Sequence, residues 1–226
     1  MLLALLALAG NPAMLSIRPN RLRWGPAALG AANARSHNRW ALRLNRKVIM
    51  TMQTIAAAMR RVESVFQRRP EAGLADDTPA TAHWESGTRV VSRHPNGTQV
   101  VTDMPSEIGG SGDQVTPGWL LRAALASCAA TRIAMAAAAA GVELTTLDVA
   151  ASSRSDARGL LGMVNADGQP VPAEPRDVLL AVRIAAHGIA AMRLRALVEQ
   201  SHGCSPVTAA HQAAVPVALR IEVDAG

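Results

Sequence analysis

The sequence predicts an α+β fold built on antiparallel strands. Strand signals come in runs joined by short turns, and the helical segments are grouped between those runs. The strand–helix–strand alternation that builds a parallel sheet is missing. With 49% hydrophobic and 18% charged residues the chain can bury a core, which excludes general disorder. A length of 226 residues suits one domain with an appendage, and no internal repeat is visible.

Met52–Arg69 reads as an amphipathic helix, because Ile55, Met59, Val62 and Phe66 recur at spacings of four and three with arginines opposite. Pro70 and the run to Asp77 end it. Strand signals follow around His83–Trp84, Thr88–Arg93 and Thr98–Asp103, the last two joined at Asn96-Gly97, which tolerates positive φ. A Gly-rich stretch, Gly109-Gly110-Ser111-Gly112, is expected to be a flexible connector. It lacks the Gly-Lys-Ser/Thr ending of a phosphate loop and does not match the dinucleotide fingerprint. Thr116-Pro117 then opens a long helix as N-cap and N1 residue, and Gly141 closes it. Leu144–Ser152 and Val178–Ala186 read as strands around a polar turn region. Ala190–Ser201 is a helix ending at Gly203, Ser205-Pro206 starts a short one, and Val215–Val223 alternates as a terminal strand.

The net charge of +6 and the pI near 11 first suggest a nucleic-acid partner. That charge is confined to one segment. Residues 1–49 carry eight basic side chains and no acid, leaving 15 basic against 17 acidic groups in the rest of the chain. The larger part therefore has no electrostatic mark of a nucleic-acid binder. Residues 1–49 are expected to be an extension outside the folded domain, with Met50 and Met52 as candidate true starts. Alternatives are a targeting peptide of the Arg-rich, acid-poor type or an export signal ending near Ala7-Leu8-Ala9. No stretch reads as a membrane span, because Arg132 interrupts the most apolar run, Ala123–Gly141.

Two cysteines, Cys128 and Cys204, build neither a disulfide scaffold nor a four-cysteine zinc site. The six histidines form no metal-ligand pair on one helix, and His202, two residues before Cys204, is only a weak hint of metal or acid–base chemistry. Cys128 falls in the middle of the long helix, with Arg132 one turn further on the same face. A cation there stabilises a thiolate, which makes Arg132 a candidate for that role; the plainer alternative is a small core residue beside a solvated arginine. Cys204 directly precedes a helix start, where backbone N–H groups favour an anion.

The stretch from Thr116-Pro117-Gly118-Trp119 to Ala126-Ser127-Cys128, together with Asp156-Ala157-Arg158-Gly159 and Cys204-Ser205-Pro206-Val207, resembles the OsmC/Ohr superfamily of osmotically induced and organic-hydroperoxide-resistance proteins over roughly residues 80–226. That resemblance implies antiparallel sheets wrapped around a long central helix in an intertwined homodimer, with active sites at the subunit interface. It divides the chain into an extension (1–49), an amphipathic helix and linker (50–79) and an OsmC-like domain (80–226). It also implies a cytoplasmic thiol peroxidase serving oxidative-stress defence. Cys128 would attack the hydroperoxide, a second cysteine, here Cys204, would condense with the product, and an external dithiol would reduce the disulfide. No metal or organic cofactor is implied, and neither a nucleic acid nor a membrane is an expected partner. Three positions depart from the family pattern. Gly118 replaces a glutamate, the arginine before the Gly-rich loop has no clear match at Val101-Thr102-Asp103-Met104, and Ser205 stands where the second cysteine is expected, one residue after Cys204. A non-catalytic OsmC-like dimer binding a small apolar ligand at its interface is the rival expectation.

Overall fold

The structure is a computed structural model and describes residues 51–224; the expectations for residues 1–49 lie outside that range. Helix α1 (Met52–Arg68) starts at Thr51, whose hydroxyl accepts from the Thr54 amide at 3.2 Å. Its first half packs against the end of the long helix, beside Ala138, Ala139 and Gly141. The apolar stripe is therefore only partly covered. Ala56 is buried, while Val62 and Phe66 lie further along and stay exposed.

Strands β1 (Thr81–Ser86), β2 (Arg89–Arg93) and β3 (Gln99–Thr102) form an antiparallel meander in that order. Gly87 and Gly97 turn the chain with φ of 56° and 91°, and Asn96 Oδ1 accepts from the Thr98 amide at 2.9 Å. Asn96-Gly97 thus makes the turn its sequence predicts.

The segment after β3 is pinned rather than flexible. The Asp103 carboxylate, 3% exposed, accepts from the Thr88 hydroxyl (2.5 Å), the Met104 amide (2.8 Å), and the Ser111 amide and hydroxyl (3.2 and 2.6 Å). Arg89 donates to the same carboxylate at 3.3 Å and also binds Asp113. A side chain at Gly110 would place its Cβ 1.7 Å from the Met104 carbonyl oxygen, so only glycine lets the loop close this tightly. The chain then returns beside β3, where Val115 bridges Thr102 and its carbonyl accepts from the Asp103 amide at 3.1 Å. The next residue caps the central helix.

That helix, α2 (Pro117–Ala139), begins as expected: Thr116 Oγ1 accepts from the Trp119 amide at 3.2 Å and proline occupies N1. Its end is a Schellman motif. Gly141 takes φ of 65°, Val142 donates to Ala137 at 2.8 Å and Gly141 to Ala138 at 3.1 Å. By length and composition α2 passes for a membrane-crossing helix, but α1, α4, α5 and a strand all pack on it.

Strands β4 (Leu144–Arg154) and β5 (Arg176–Ala186) form a separate antiparallel ribbon, with the one-turn helix α3 (Ala157–Leu160) in the connection between them. Leu147 stands opposite Ile184 and Val149 opposite Val182. These pairs lie against Ile133, Ala137, Val142, Leu194 and Leu197, the core of the molecule. Helices α4 (Ala191–His202) and α5 (Pro206–Ala213) complete the described elements.

The expected terminal strand, Val215–Val223, does not form. Residues 215–224 pair with no described strand, and Val217 and Val223 are 93% and 86% exposed. The alternation is present, but a strand needs an edge to bond, and the chain reaches none of its own.

The ring of donors around Asp103, Ser111 first and Thr88 next, holds its carboxyl well below the usual carboxylate range. A depressed folded value stabilises the fold at pH above the ordinary carboxylate range, near about 4, and that contribution disappears as pH falls through the folded value. Asp103→Asn is expected to lower the melting temperature by several degrees at neutral pH. The gap to wild type should close only in strong acid, as followed by thermal melts across pH; equal melting at neutral pH would refute the role assigned to Asp103.

Candidate functional site

Cys128 sits midway along α2, three residues after the buried Leu125 and one before the buried Ala129. The stripe Leu125, Ala129, Ile133, Ala137 faces the interior at four-residue spacing. Cys128 lies at its margin and is half-buried. Small residues on this face let α5 approach α2 closely.

The approach to α5 is a tight reversal after α4. Cys204 donates its amide to the Ser201 carbonyl at 3.1 Å, and Ser205 to that of His202 at 3.3 Å. Ser205 then occupies the N-cap of α5 with Pro206 at N1. A serine there ordinarily accepts from an amide of the first turn. Ser205 makes no such bond. It is completely buried, and its hydroxyl donates to Cys128 Sγ at 3.3 Å. Thr208, one turn along α5 and also buried, donates its hydroxyl to Ser205 Oγ at 3.0 Å.

The structure therefore brings Cys128 and Ser205 together. Cys204 is exposed, and both thiols are free. Arg132 is half-buried and makes no hydrogen bond or ion pair among the described residues. Gly118 leaves the first turn of α2 without a carboxylate. Arg122 is the side chain beside it, with its guanidinium 3.7 Å from where a Cβ at 118 would stand, and it donates to Ser153 Oγ at 3.5 Å. Among the described residues no group of three His, Cys, Asp or Glu side chains is placed to hold a metal ion. His202 lies instead 3.5 Å from the Gln212 amide nitrogen.

A cavity of about 630 Å³ lies between α2, β5, α4 and α5. Leu125, Ala129 and Ile133 wall it from α2, Val182 from β5 and Val198 from α4, while Thr208 is among its polar groups. It thus adjoins the hydroxyl chain that ends on the Cys128 sulfur. Sequence reasoning reads Ser205 as the loss of a cysteine and passes over Thr208. A serine followed by proline at a helix start signals a cap, and nothing local says that the hydroxyl turns elsewhere.

Residues 110–220 match the family described as OsmC-like protein, a span holding α2, both cysteines, Ser205 and the cavity. These residues form an OsmC-like domain. An OsmC-like protein from Mycoplasma pneumoniae superposes with a TM-score of 0.51 at 14% identity, covering 62% of this chain and 89% of its own. That likeness establishes the α+β fold. An OsmC-like protein of unknown function from Vibrio cholerae follows at 0.48 and 13%, over 60% and 94% of the two chains. An organic hydroperoxide resistance protein from Legionella pneumophila stands at 0.45 and 22%, over 61% and 90%. No curated protein matches.

Leu125 is 2% exposed and joins the interior to the cavity. Leu125→Ala is expected to cost about 2–5 kcal/mol. Urea unfolding measures this, and a loss below 1 kcal/mol (roughly the size of a surface change) would contradict the packing described.

Proposed function

We propose that this OsmC-like chain is a thiol-dependent peroxidase that reduces organic hydroperoxides or related oxidants through Cys128, in defence against oxidative stress. The observation that carries this reading is a buried hydroxyl donating to the sulfur of Cys128 beside an apolar cavity. The thiolate is the nucleophile in such chemistry, and a donor aimed at sulfur favours it. Arg132, a turn away on α2, adds a positive charge on the same side of the helix. The cavity offers apolar walls to the organic part of a hydroperoxide.

In the reaction the Cys128 thiolate attacks one oxygen of the O–O bond. Two electrons pass from sulfur to the peroxide, the bond breaks, and the second oxygen leaves and takes up a proton as the alcohol. Cys128 is left as a sulfenic acid. A second thiol then condenses with it, releasing water, and a further thiol reduces the resulting disulfide. Cys204 and an external dithiol are the two sources of that second thiol. Free cysteines suit a reducing compartment, and we place the chain in the cytoplasm. A second reading, a ligand carrier without chemistry, draws support from the same cavity.

A homodimer is part of the proposal. Trp119 and Leu121 on α2 are left uncovered, and the tail presents Val215, Val217, Leu219, Ile221 and Val223 to solvent in strand alternation. A second copy supplies both an apolar cover and an edge for pairing.

Excess cumene hydroperoxide should consume the Cys128 thiol of the wild-type protein within seconds to minutes, and Cys128→Ser should abolish peroxide consumption. Thiol counting with intact mass reads both. A Cys128 that stays reduced under excess peroxide removes the enzyme reading and leaves the ligand carrier. Deleting residues 215–226 is expected to convert a dimer into a monomer in light scattering; an unchanged dimer would refute the assignment of the tail.

A further inference from the structure

We propose that Ser205 is a catalytic residue of this site, and that Cys128 turns over with an external thiol rather than with Cys204. The inference rests on the peroxidase reading and adds to it the identity of the group facing the sulfur.

Three observations carry it. Ser205 is fully buried, and the N-cap bond ordinarily made by a serine in its place is absent. The Thr208 hydroxyl donates to Ser205 Oγ, which occupies a lone pair of that oxygen and leaves its hydrogen for Cys128 Sγ. The direction of the chain is therefore Thr208 to Ser205 to sulfur, the direction that stabilises a thiolate. Finally, Cys204 is exposed, whereas the neighbouring Ser205 is the residue that meets the sulfur.

The place beside the sulfur is held by Ser205 and not by Cys204, which is exposed. Bringing it in would break both hydroxyl bonds, and also the first helical bond of α5, in which Ala209 donates to the Ser205 carbonyl at 2.8 Å. After oxidation, an external thiol attacks the sulfur of the Cys128 sulfenic acid. The new S–S bond forms, the S–O bond breaks, and the hydroxyl leaves with a proton as water. A second external thiol attacks this mixed disulfide, restoring the Cys128 thiol and releasing the external disulfide. Two thiols are thus oxidised per hydroperoxide reduced.

The test uses the full chain with iodoacetamide, cumene hydroperoxide, dimedone and dithiothreitol. Alkylation of Cys128 in Ser205→Ala should be about tenfold slower than in wild type at neutral pH. At pH about 10, where a thiol is ionised without help, the two rates should match. This separates donation to the thiolate from a merely structural role. Thr208→Val should move the neutral rate in the same direction by less. Peroxide-treated wild type should carry a dimedone adduct on Cys128 when dimedone is present, and should regain its free thiol when dithiothreitol is added in place of dimedone. Ser205→Cys should instead lose two daltons through a disulfide between Cys128 and the introduced thiol, and take no dimedone. Equal alkylation of Ser205→Ala and wild type at neutral pH would overturn the role of Ser205. A Cys128–Cys204 disulfide in oxidised wild type would overturn the external route and leave the peroxidase reading standing. Absence of oxidation at Cys128 in every variant would remove the peroxidase reading and the external route together, while alkylation still decides Ser205.

Discussion

Close packing along one face of α2 is the constraint from which the rest follows. Leu125, Ala129, Ile133 and Ala137 repeat at one helical turn, and two of the four are alanines. A methyl group in place of a larger side chain lets a neighbouring element come nearer, and interiors tolerate little void. The β4–β5 ribbon, α4 and α5 all settle on this helix. Because α5 approaches there, a serine at its N-cap comes within 3.3 Å of a sulfur on α2. A bulkier stripe would hold α5 away and separate the two.

The start of α2 is held as firmly as its face. Asp103 collects donors from Thr88 just before β2, from Arg89 at its start, from its own neighbour and from the Gly-rich loop, so the end of β3, the loop and Thr116 are fixed as one unit. A buried carboxylate is tolerated only when so fully bonded. It sits where the resemblance has an arginine nearby, and the guanidinium that does appear is Arg89, spent on two carboxylates. The charge of this region is thus used internally to hold a loop.

Two apolar features look outward. The uncovered side chains of α2 and the alternating tail leave apolar surface facing water, which is costly for a lone chain. The tail shows how a sound reading of pattern can give an element that one chain does not complete. Periodicity reports which side chains share a face, while strand formation also requires a neighbouring backbone. Val62 and Phe66 on α1 make the same point for a helix, since the stripe is real and its cover ends halfway.

What the sequence by itself determined was everything that near neighbours decide. Thr116-Pro117 begins α2 and Gly141 ends it, Asn96-Gly97 turns the meander, and Ser205-Pro206 starts α5, because caps and turns are settled within a few residues. The motif around Cys128 likewise identified the family. Only the tertiary structure decided which side chain meets the sulfur. Cys204 and Ser205 are adjacent, and either could have faced inward. The choice depends on how α5 docks against a helix 77 residues earlier in the chain, where a buried hydroxyl can be satisfied by Thr208 and a sulfur together. No local pattern records that.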